Sequence, residues 1–285
     1  MQKLVARLLT FAVGLPGAVS VILFLPQKNH LAVNLTVVIL SALGAAEFGV
    51  MLKKRDITIG TREAGILGIA APLGMTLTVS FGCSALAISV FLITAASWLI
   101  ISRIFTDETG FKDAVTRTAA GFAVILYPGV FMAWIIRMSG LPGADMIILL
   151  FLLIVVANDS AAWGAGLLFG KGNRGFVKVS PNKSIAGFIG GIAVSTLIGL
   201  GTVYVLPAVF TCQRFPSPAA GIILGFLTAS AATLGDLGES ALKRSSNIKD
   251  SGNIIPGRGG VLDSIDSFCL AAPVYYGSYC FFFIV

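Results

Sequence analysis

Long, uninterrupted apolar segments recur along almost the whole chain, and they limit the possible folds more than any other feature. A helix that spans a bilayer needs about 20 mostly apolar residues, and only helices or closed barrels satisfy the backbone in lipid. The segments lack the alternation of polar and apolar residues that barrel strands show. The sequence is 56% hydrophobic and 12% charged, whereas soluble domains carry about 25% charged residues. We therefore predict an all-α integral membrane protein.

Nine membrane spans are predicted from these segments. The third and fourth are separated only by a tight turn around Gly82, and the first is expected to be a retained helix because further spans follow it. The loops are short in residues 1–143, whereas polar and Gly-rich segments interrupt residues 144–285, so we predict an N-terminal helical region followed by a catalytic region. The predicted spans are residues 5–25, 31–52, 64–82, 84–102, 118–138, 144–170, 185–210, 218–242 and 265–285.

The distribution of basic residues predicts the orientation of the spans, because Lys and Arg collect in cytoplasmic loops. With the N-terminus in the cytoplasm, all of the 20 Lys and Arg residues except Lys28, Arg137 and Arg214 fall on the cytoplasmic side. We therefore expect a multi-pass protein of the inner (plasma) membrane whose polar loops face the cytoplasm. The net charge of +7 is attributed to this topology and to anionic lipid rather than to nucleic acid.

Asp236 and Glu239 are three residues apart in the eighth span and so share one helix face. Lys243 follows four residues after Glu239, and a simple Glu239–Lys243 ion pair at the helix end is one interpretation. That pair leaves Asp236 unexplained, deeper in the span, where an ionisable group is costly. Two carboxylates near the membrane surface suit a divalent cation with oxygen ligands, and we favour metal binding.

Two other acids lie within predicted spans. Asp159 stands in a polar patch, between Asn158 and Ser160, before a run of small residues that allow close helix contact. A buried polar contact is the alternative there, but an acid is a costly choice for one, so we predict a site residue. Glu47 precedes the basic cluster at residues 53–55, and pairing or snorkelling at that interface is as well supported as a functional role.

Two predicted cytoplasmic loops contain residues typical of phosphate binding. In KRSSNIKDSGNIIPGRGGVLDSID the glycines allow backbone amides to approach an anion, and Asp263 and Asp266 are again three residues apart. In KVSPNKSIAGFIGG, Ser180, Lys183 and Ser184 precede a helix N-terminus, itself an anion site. A solvated basic linker is the alternative for either loop. It fits the PGRGG loop poorly, because a linker needs neither fixed glycines nor spaced acids.

The side chains present limit the chemistry. His30 is the only histidine and falls in a predicted outside loop, which excludes His as a general base, and the four Cys form no CxxC pair. Carboxylates for Mg²⁺ together with Lys and Gly for phosphate indicate phosphoryl or nucleotidyl transfer, which depends on positioning and charge neutralisation. Because the acids lie at the ends of spans, we expect one substrate to be a lipid.

The segment SALKRSSNIKDSGNIIPGRGGVLDSIDSF closely resembles the signature of bacterial phosphatidate cytidylyltransferases (CDP-diacylglycerol synthases). The family pattern is Ser-x-x-Lys-Arg, four residues, Lys-Asp, then Pro-Gly-His-Gly-Gly, then Asp-Arg-x-Asp. The resemblance covers about residues 155–270 and includes GDLGES, KVSPNKS and NDSAAWGAGLLFGK. The signature matches at Ser240, Lys243, Arg244, Lys249, Asp250, Pro256, Gly257, Gly259, Gly260, Asp263 and Asp266.

The resemblance implies that CTP and phosphatidate react to give CDP-diacylglycerol and diphosphate, by in-line attack of the lipid phosphate on the CTP α-phosphate. It implies Mg²⁺ as cofactor, with a second cation and a homodimer as further expectations. The implied metal ligands are Asp159, Asp236 and Asp263. The implied catalytic residues are Asp159, Lys183, Asp236, Glu239, Lys243, Lys249, Asp250 and Asp263. The residues implied to hold CTP or the phosphatidate headgroup are Ser180, Ser184, Arg244, Gly257, Arg258, Gly259 and Gly260.

Two positions depart from the family pattern: Arg258 stands where the family has His, and Ser264 stands where it has Arg. We hypothesise that Arg258 supplies the charge that residue 264 lacks, and altered substrate choice or lost activity is the alternative. Two other functions share parts of the pattern. An ion-coupled transporter also needs intramembrane acids, although the sequence shows no internal repeat, and a CTP-dependent polyprenol kinase would transfer the γ-phosphoryl group instead.

Overall fold

The computed structural model describes residues 2–102, 104, 111–212 and 216–284, with side chains from residue 12 onward. Within these ranges the chain is helical and has no β-strand, only two isolated bridges, Arg174 with Ser184 and Ile255 with Gly259. The prediction of an all-α protein is confirmed. The α-helices are α1 (Gln2–Phe24), α2 (Gln27–Lys53), α3 (Thr61–Gly68), α4 (Ala70–Phe81), α5 (Leu86–Ile101), α6 (Ala114–Val124), α7 (Phe131–Met138), α8 (Ala144–Phe169), α9 (Ile185–Val205), α10 (Ser217–Ser245) and α11 (Leu262–Tyr279). Two π-helical segments, Ile125–Val130 and Cys280–Ile284, follow α6 and α11.

Seven helical stretches in the described ranges are long and apolar enough to cross a membrane. Two shorter apolar helices, Ala12–Phe24 and Leu86–Ile101, coincide with the first and fourth predicted spans. The integral membrane character is confirmed, whereas the count of nine and the cytoplasmic N-terminus stay predictions. Of the bases used to predict the orientation, Lys3, Arg7, Arg103 and Arg214 lie outside the described side chains. The seven stretches are Gln27–Lys53, Thr61–Phe81, Ala114–Met138, Ala144–Phe169, Ile185–Val205, Ser217–Ser245 and Leu262–Ile284.

The chain divides into two compact units. The first comprises Met1–Gly140 and Lys243–Ile265, and the second comprises Leu141–Leu242 and Asp266–Val285. The predicted boundary after residue 143 lies close to the first division. The structure adds the loop after α10 to the unit of the N-terminal helices.

A buried polar network joins three helices of the first unit. Arg117 on α6 donates to both carboxylate oxygens of Glu63 on α3 at 2.6 Å, to the Thr58 carbonyl at 2.7 Å and to the Ser102 hydroxyl at 3.0 Å. The Trp98 indole on α5 donates to Glu63 at 3.0 Å. Because Arg117 is only 6% exposed, these bonds satisfy a charge that could not otherwise be buried at low cost.

The stretch from α6 to α7 is interrupted by a π-helical segment around Pro128. Proline has no N–H to donate to the preceding turn, so the regular helical hydrogen bonding cannot continue through it. Beside it, Gly129 approaches the backbone of α3, since an added Cβ would lie 2.8 Å from the Gly68 carbonyl oxygen.

Small residues bring α8 and α9 together in the second unit. An added Cβ on Gly190 would lie 2.5 Å from the Ala165 Cβ, and one on Gly187 would lie 2.8 Å from the Ala162 carbonyl oxygen. The expectation that the small residues after Asp159 allow close helix contact is confirmed at Ala162 and Ala165. This packing fixes the two helices that flank the loop carrying Lys183.

Candidate active site

The polar loop between α10 and α11 is built around a tight turn in the first unit. The Arg258 N–H donates to the Ile255 carbonyl at 3.2 Å, with Pro256 and Gly257 between them and φ of Gly257 at +77°. Pro followed by Gly with positive φ is typical of a type II turn. Gly259, with φ +110°, closes the turn through two backbone hydrogen bonds with Ile255 at 2.8 and 3.0 Å. The PGRGG motif therefore folds as a compact hairpin just before α11.

Asp263, in the first turn of α11, is the centre of hydrogen bonding at the base of this hairpin. Its Oδ2 accepts the N–H groups of Gly260 at 2.7 Å and Ser251 at 2.8 Å, and lies 3.0 Å from the Ser251 hydroxyl. Its Oδ1 lies 2.5 Å from Lys243 Nζ. The two charged side chains are 6% and 13% exposed. The structure thus brings two predicted site residues, Lys243 and Asp263, into one buried ion pair.

Backbone amides at the end of this loop are engaged within the chain, including that of Gly260, one of the glycines that the sequence suggested for phosphate. The Gly260 N–H donates to Asp263, and the N–H groups of Val261 and Leu262 donate to the Glu47 carboxylate at 2.9 Å each. The hairpin therefore presents these amides to the chain's own carboxylates. Binding of CTP or the lipid headgroup by the loop glycines stays a prediction.

The other predicted residues of this loop lie at its surface. Arg244, Lys249, Asp250 and Arg258 are all exposed. The Ser264 hydroxyl, at the position where the family has Arg, donates to a backbone carbonyl one turn earlier at 3.3 Å. The hypothesis that Arg258 compensates for Ser264 stays a prediction.

In the second unit, an ion pair connects α10 to the other loop predicted to bind phosphate, which contains Lys183. Lys183 forms an ion pair with Asp236, and the two side chains are 26% and 30% exposed. Ser184 is the N-cap of α9, where its Oγ accepts the Gly187 N–H at 3.0 Å. The Ser180 carbonyl accepts the Lys183 N–H at 3.1 Å in the turn before the helix. The cap and this turn direct Lys183 toward α10, whereas phosphate binding by Ser180 and Ser184 stays a prediction.

In the second unit, Asp266 lies near three other carboxylates. Asp266, which is 8% exposed, interacts electrostatically with Asp236, Glu239 and Asp159. Glu239 is fully buried. The structure therefore gathers three predicted site residues around Asp266, which the signature includes but which was not predicted as a site residue. Buried carboxylates in helical spans are costly unless they are compensated, and Lys183 compensates Asp236 by an ion pair.

The donor chemistry of this cluster fits Mg²⁺. Among the described residues no three or more His, Cys, Asp and Glu side chains form a ready metal site. Mg²⁺ usually binds through one or two carboxylates together with water and substrate phosphates, so it does not need such a cage. Asp159 and Asp236 offer oxygen ligands in the second unit, and Asp263, the third predicted ligand, belongs to the first. The ligand set stays a prediction.

The sequence analysis did not assign a role to two polar residues that lie beside the hairpin. Glu47 was left between two interpretations, and Ser251 was not identified. The Ser251 hydroxyl donates to Glu47 at 2.8 Å, and the two residues are 204 positions apart. No local pattern could indicate this contact.

Comparison with known proteins decides the family. A model of the cytidylyltransferase family matches residues 5–282. The chain belongs to this family. This cytidylyltransferase is 34% identical over 200 residues to the phosphatidate cytidylyltransferase of Bacillus subtilis (strain 168), with 68% of each chain covered. It is 33% identical over 210 residues to the phosphatidate cytidylyltransferase of Haemophilus influenzae (strain ATCC 51907 / DSM 11121 / KW20 / Rd), with 70% of each chain covered. It is 34% identical over 199 residues to that of Helicobacter pylori (strain ATCC 700392 / 26695), covering 65% of this chain and 70% of the relative.

The family confirms the resemblance that the signature indicated, and it confirms that the protein is an enzyme of the nucleotidyltransferase class. The match extends well beyond the signature, because it includes the N-terminal helices in which Glu47 lies. The first unit is therefore part of the region that matches the family.

Proposed function

We propose that this cytidylyltransferase converts CTP and phosphatidate to CDP-diacylglycerol and diphosphate. The names of its relatives support these substrates. The observation that carries the proposal is the pairing of Lys243 with Asp263 and of Lys183 with Asp236. Each pair consists of a cation suited to phosphate and a carboxylate suited to a divalent metal, as nucleotidyl transfer requires.

The chemistry needs no strong general base. The phosphate of phosphatidate is a monoester with a second pKa of about 6, so it is mostly ionised at pH 7. One of its oxygens forms a bond to the α-phosphorus of CTP, while the bond from that phosphorus to the oxygen shared with the β-phosphate breaks. Diphosphate leaves with that oxygen and the electron pair. The reaction needs no histidine or cysteine, in agreement with the two pairs, which consist of lysines and carboxylates.

The main barrier is the approach of two polyanions, and the lysines act on it directly. When CTP or phosphatidate enters, Lys183 can exchange its contact with Asp236 for a phosphate oxygen, which leaves the Asp236 oxygens available. Asp159 and Asp236 would hold Mg²⁺, which would supply further neutralisation of the phosphate charge. Lys183 thereby places positive charge where negative charge accumulates during transfer, and the acids would contribute by holding the metal ion.

The proposal extends to the surroundings of the site. The distribution of Lys and Arg supports an inner (plasma) membrane location with both polar loops in the cytoplasm, where CTP is available. Phosphatidate reaches the enzyme from the membrane lipid. Nucleic acid is not expected as a partner, and a homodimer remains part of the proposal.

Purified protein incubated with phosphatidate and CTP labelled separately at the α and γ positions tests the proposal. We expect label from the α position in the lipid product and γ label only in diphosphate. In a parallel reaction with added polyprenol, transfer of γ label to that lipid would instead support a kinase. Label in no lipid, from a protein that is folded and supplied with Mg²⁺, would refute the proposal and leave the transporter as the alternative.

A further inference from the structure

Glu47 on α2 holds the start of α11 from outside that helix. Its Oε1 accepts the Val261 N–H at 2.9 Å, and its Oε2 accepts the Leu262 N–H at 2.9 Å and the Ser251 hydroxyl at 2.8 Å. The first N–H groups of a helix have no acceptor within the helix. A carboxylate at this end also interacts favourably with the helix dipole. Because Glu47 is 7% exposed, it is a buried cap supplied by a distant part of the chain.

Two glycines of the loop leave the space that this carboxylate occupies. An added Cβ on Gly252 would overlap Glu47 Oε1, and one on Gly260 would overlap Glu47 Oε2 and the Ser251 hydroxyl. Neither glycine has the positive φ that would by itself favour glycine. The close approach of Glu47 therefore explains both glycines, and the loop is shaped around this side chain.

Ser251 connects Glu47 to Asp263. Its hydroxyl lies 2.8 Å from the Glu47 carboxylate and 3.0 Å from Asp263 Oδ2, and its backbone N–H donates to the same Oδ2 at 2.8 Å. The Asp263 N–H in turn lies 3.3 Å from the Ser251 hydroxyl oxygen. A shift of Ser251 away from Glu47 would therefore move a backbone donor to the Asp263 carboxylate and the hydroxyl oxygen that accepts the Asp263 N–H.

We propose that Glu47 is a positioning residue of this enzyme, which keeps residues 251–262 closed and thereby fixes Asp263 for turnover. The part concerning turnover rests on the proposed function. The part concerning the loop rests on the hydrogen bonds alone. The alternative interpretation is that Glu47 pairs with the basic cluster at residues 53–55. That pairing would require none of these hydrogen bonds, and it would not require glycine at position 252 or 260.

Glu47→Gln is the most specific substitution, because it keeps the shape of the side chain. The amide has one oxygen and one NH₂ group, so whichever way it is oriented the NH₂ group faces at least one backbone N–H of Val261 or Leu262. One buried donor then loses its acceptor. Glu63→Gln is the matched control, since Glu63 is also a hydrogen-bonded carboxylate of the first unit but contacts Arg117 and Trp98 instead of the loop.

Hydrogen–deuterium exchange of the full chain in detergent, followed by mass spectrometry, tests the loop directly. In Glu47→Gln we expect the amides of residues 251–262 to exchange about tenfold faster or more, as the loss of one buried acceptor implies. In Glu63→Gln we expect faster exchange near α3 and α6 and unchanged exchange in the loop. Equal loop exchange in Glu47→Gln and the parent would overturn the proposal, whether or not the parent transfers CMP.

Initial rates on phosphatidate vesicles test the consequence for turnover. We expect kcat of Glu47→Gln to fall about tenfold or more, because small displacements of site residues reduce turnover by such factors. We expect KM for CTP to stay within about threefold, since the proposal places no contact between Glu47 and CTP. Glu63→Gln should keep the parent kcat at temperatures where it is folded. An increased KM with unchanged kcat, or an unchanged kcat despite a mobile loop, would refute the positioning role.

Ser251→Ala provides a second route in case Glu47→Gln does not fold. It removes only the hydroxyl shared by Glu47 and Asp263 and keeps all backbone donors. We expect it to show the same pattern of faster loop exchange and lower kcat to a smaller degree. If loop exchange and kcat in this variant equalled those of the parent, the connection to Asp263 would be refuted.

Discussion

Replacement of Arg117 by Met is the strongest test of how the first unit is held together. Arg117 and Glu63 are 7% and 19% exposed as side chains, and the guanidinium donates four hydrogen bonds, two of them to this carboxylate. Met keeps much of the apolar volume and removes all four hydrogen bonds. Among the described residues, the Glu63 carboxylate then keeps the Trp98 indole at 3.0 Å and the distant Gly60 N–H at 3.4 Å.

The expected loss of stability follows from the burial of the ion pair. Removal of one partner from a buried ion pair costs about 3–5 kcal/mol, because a charge is left in the interior without compensation. At about 2–4 °C per kcal/mol for a protein of similar size, the midpoint of thermal unfolding should fall by about 6–20 °C. Thermal unfolding in detergent, followed by tryptophan fluorescence, measures this directly because Trp98 contacts the same carboxylate.

Arg62→Met is the control, because Arg62 is exposed on the same helix as Glu63. We expect its midpoint to stay close to that of the parent. The double variant Arg117→Met/Glu63→Gln should recover part of the loss, since it removes the uncompensated charge. Equal, small shifts in Arg117→Met and Arg62→Met would show that the network contributes no more than a surface pair.

The remaining predictions concern the active site. Asp236→Asn should abolish Mg²⁺-dependent transfer of α label without unfolding the protein, and normal activity would remove Asp236 from the metal ligands. Gly259→Ala should lower both turnover and the unfolding midpoint, because φ is +110° and the new Cβ would lie 2.6 Å from a carboxylate oxygen. Gly172→Ala, with φ +88° and no atom within 4 Å, is the matched control and should show a smaller shift. Arg258→His should reduce turnover if this arginine replaces a missing charge, and full activity in initial-rate assays would end that hypothesis.

Hydropathy predicted the helices well because lipid imposes a strong condition on each span separately. The turn at Pro256-Gly257 is also predictable from the local sequence, because the two residues fix their own backbone conformation. The break between α3 and α4 was not predicted, because it lies within one apolar segment. The π-helical segment around Pro128 also went unpredicted, although proline is the local signal for such a break.

Within the active site, the division between predicted and missed contacts follows distance along the chain. Acids and lysines could be selected individually because charges in spans are costly. Their pairing depends on tertiary packing. The sequence offered Glu239 as one possible partner of Lys243, but no local pattern indicated the pairing with Asp263 that the structure shows. The role of Glu47 could not be predicted for the same reason, because the groups that donate hydrogen bonds to it lie more than 200 residues away along the chain.

The two lysine–carboxylate pairs differ in a way that separates their roles. Lys243 and Asp263 are 13% and 6% exposed, and two backbone N–H groups also hold the Asp263 carboxylate. Exchange of Lys243 onto a phosphate would therefore leave a buried carboxylate partly uncompensated. Lys183 and Asp236 are 26% and 30% exposed, and water or a metal can reach Asp236 when the lysine leaves. A more exposed pair is weaker and more easily exchanged. Lys183 is therefore better suited to meet the incoming phosphates, and Lys243 to keep the hairpin and Asp263 in place.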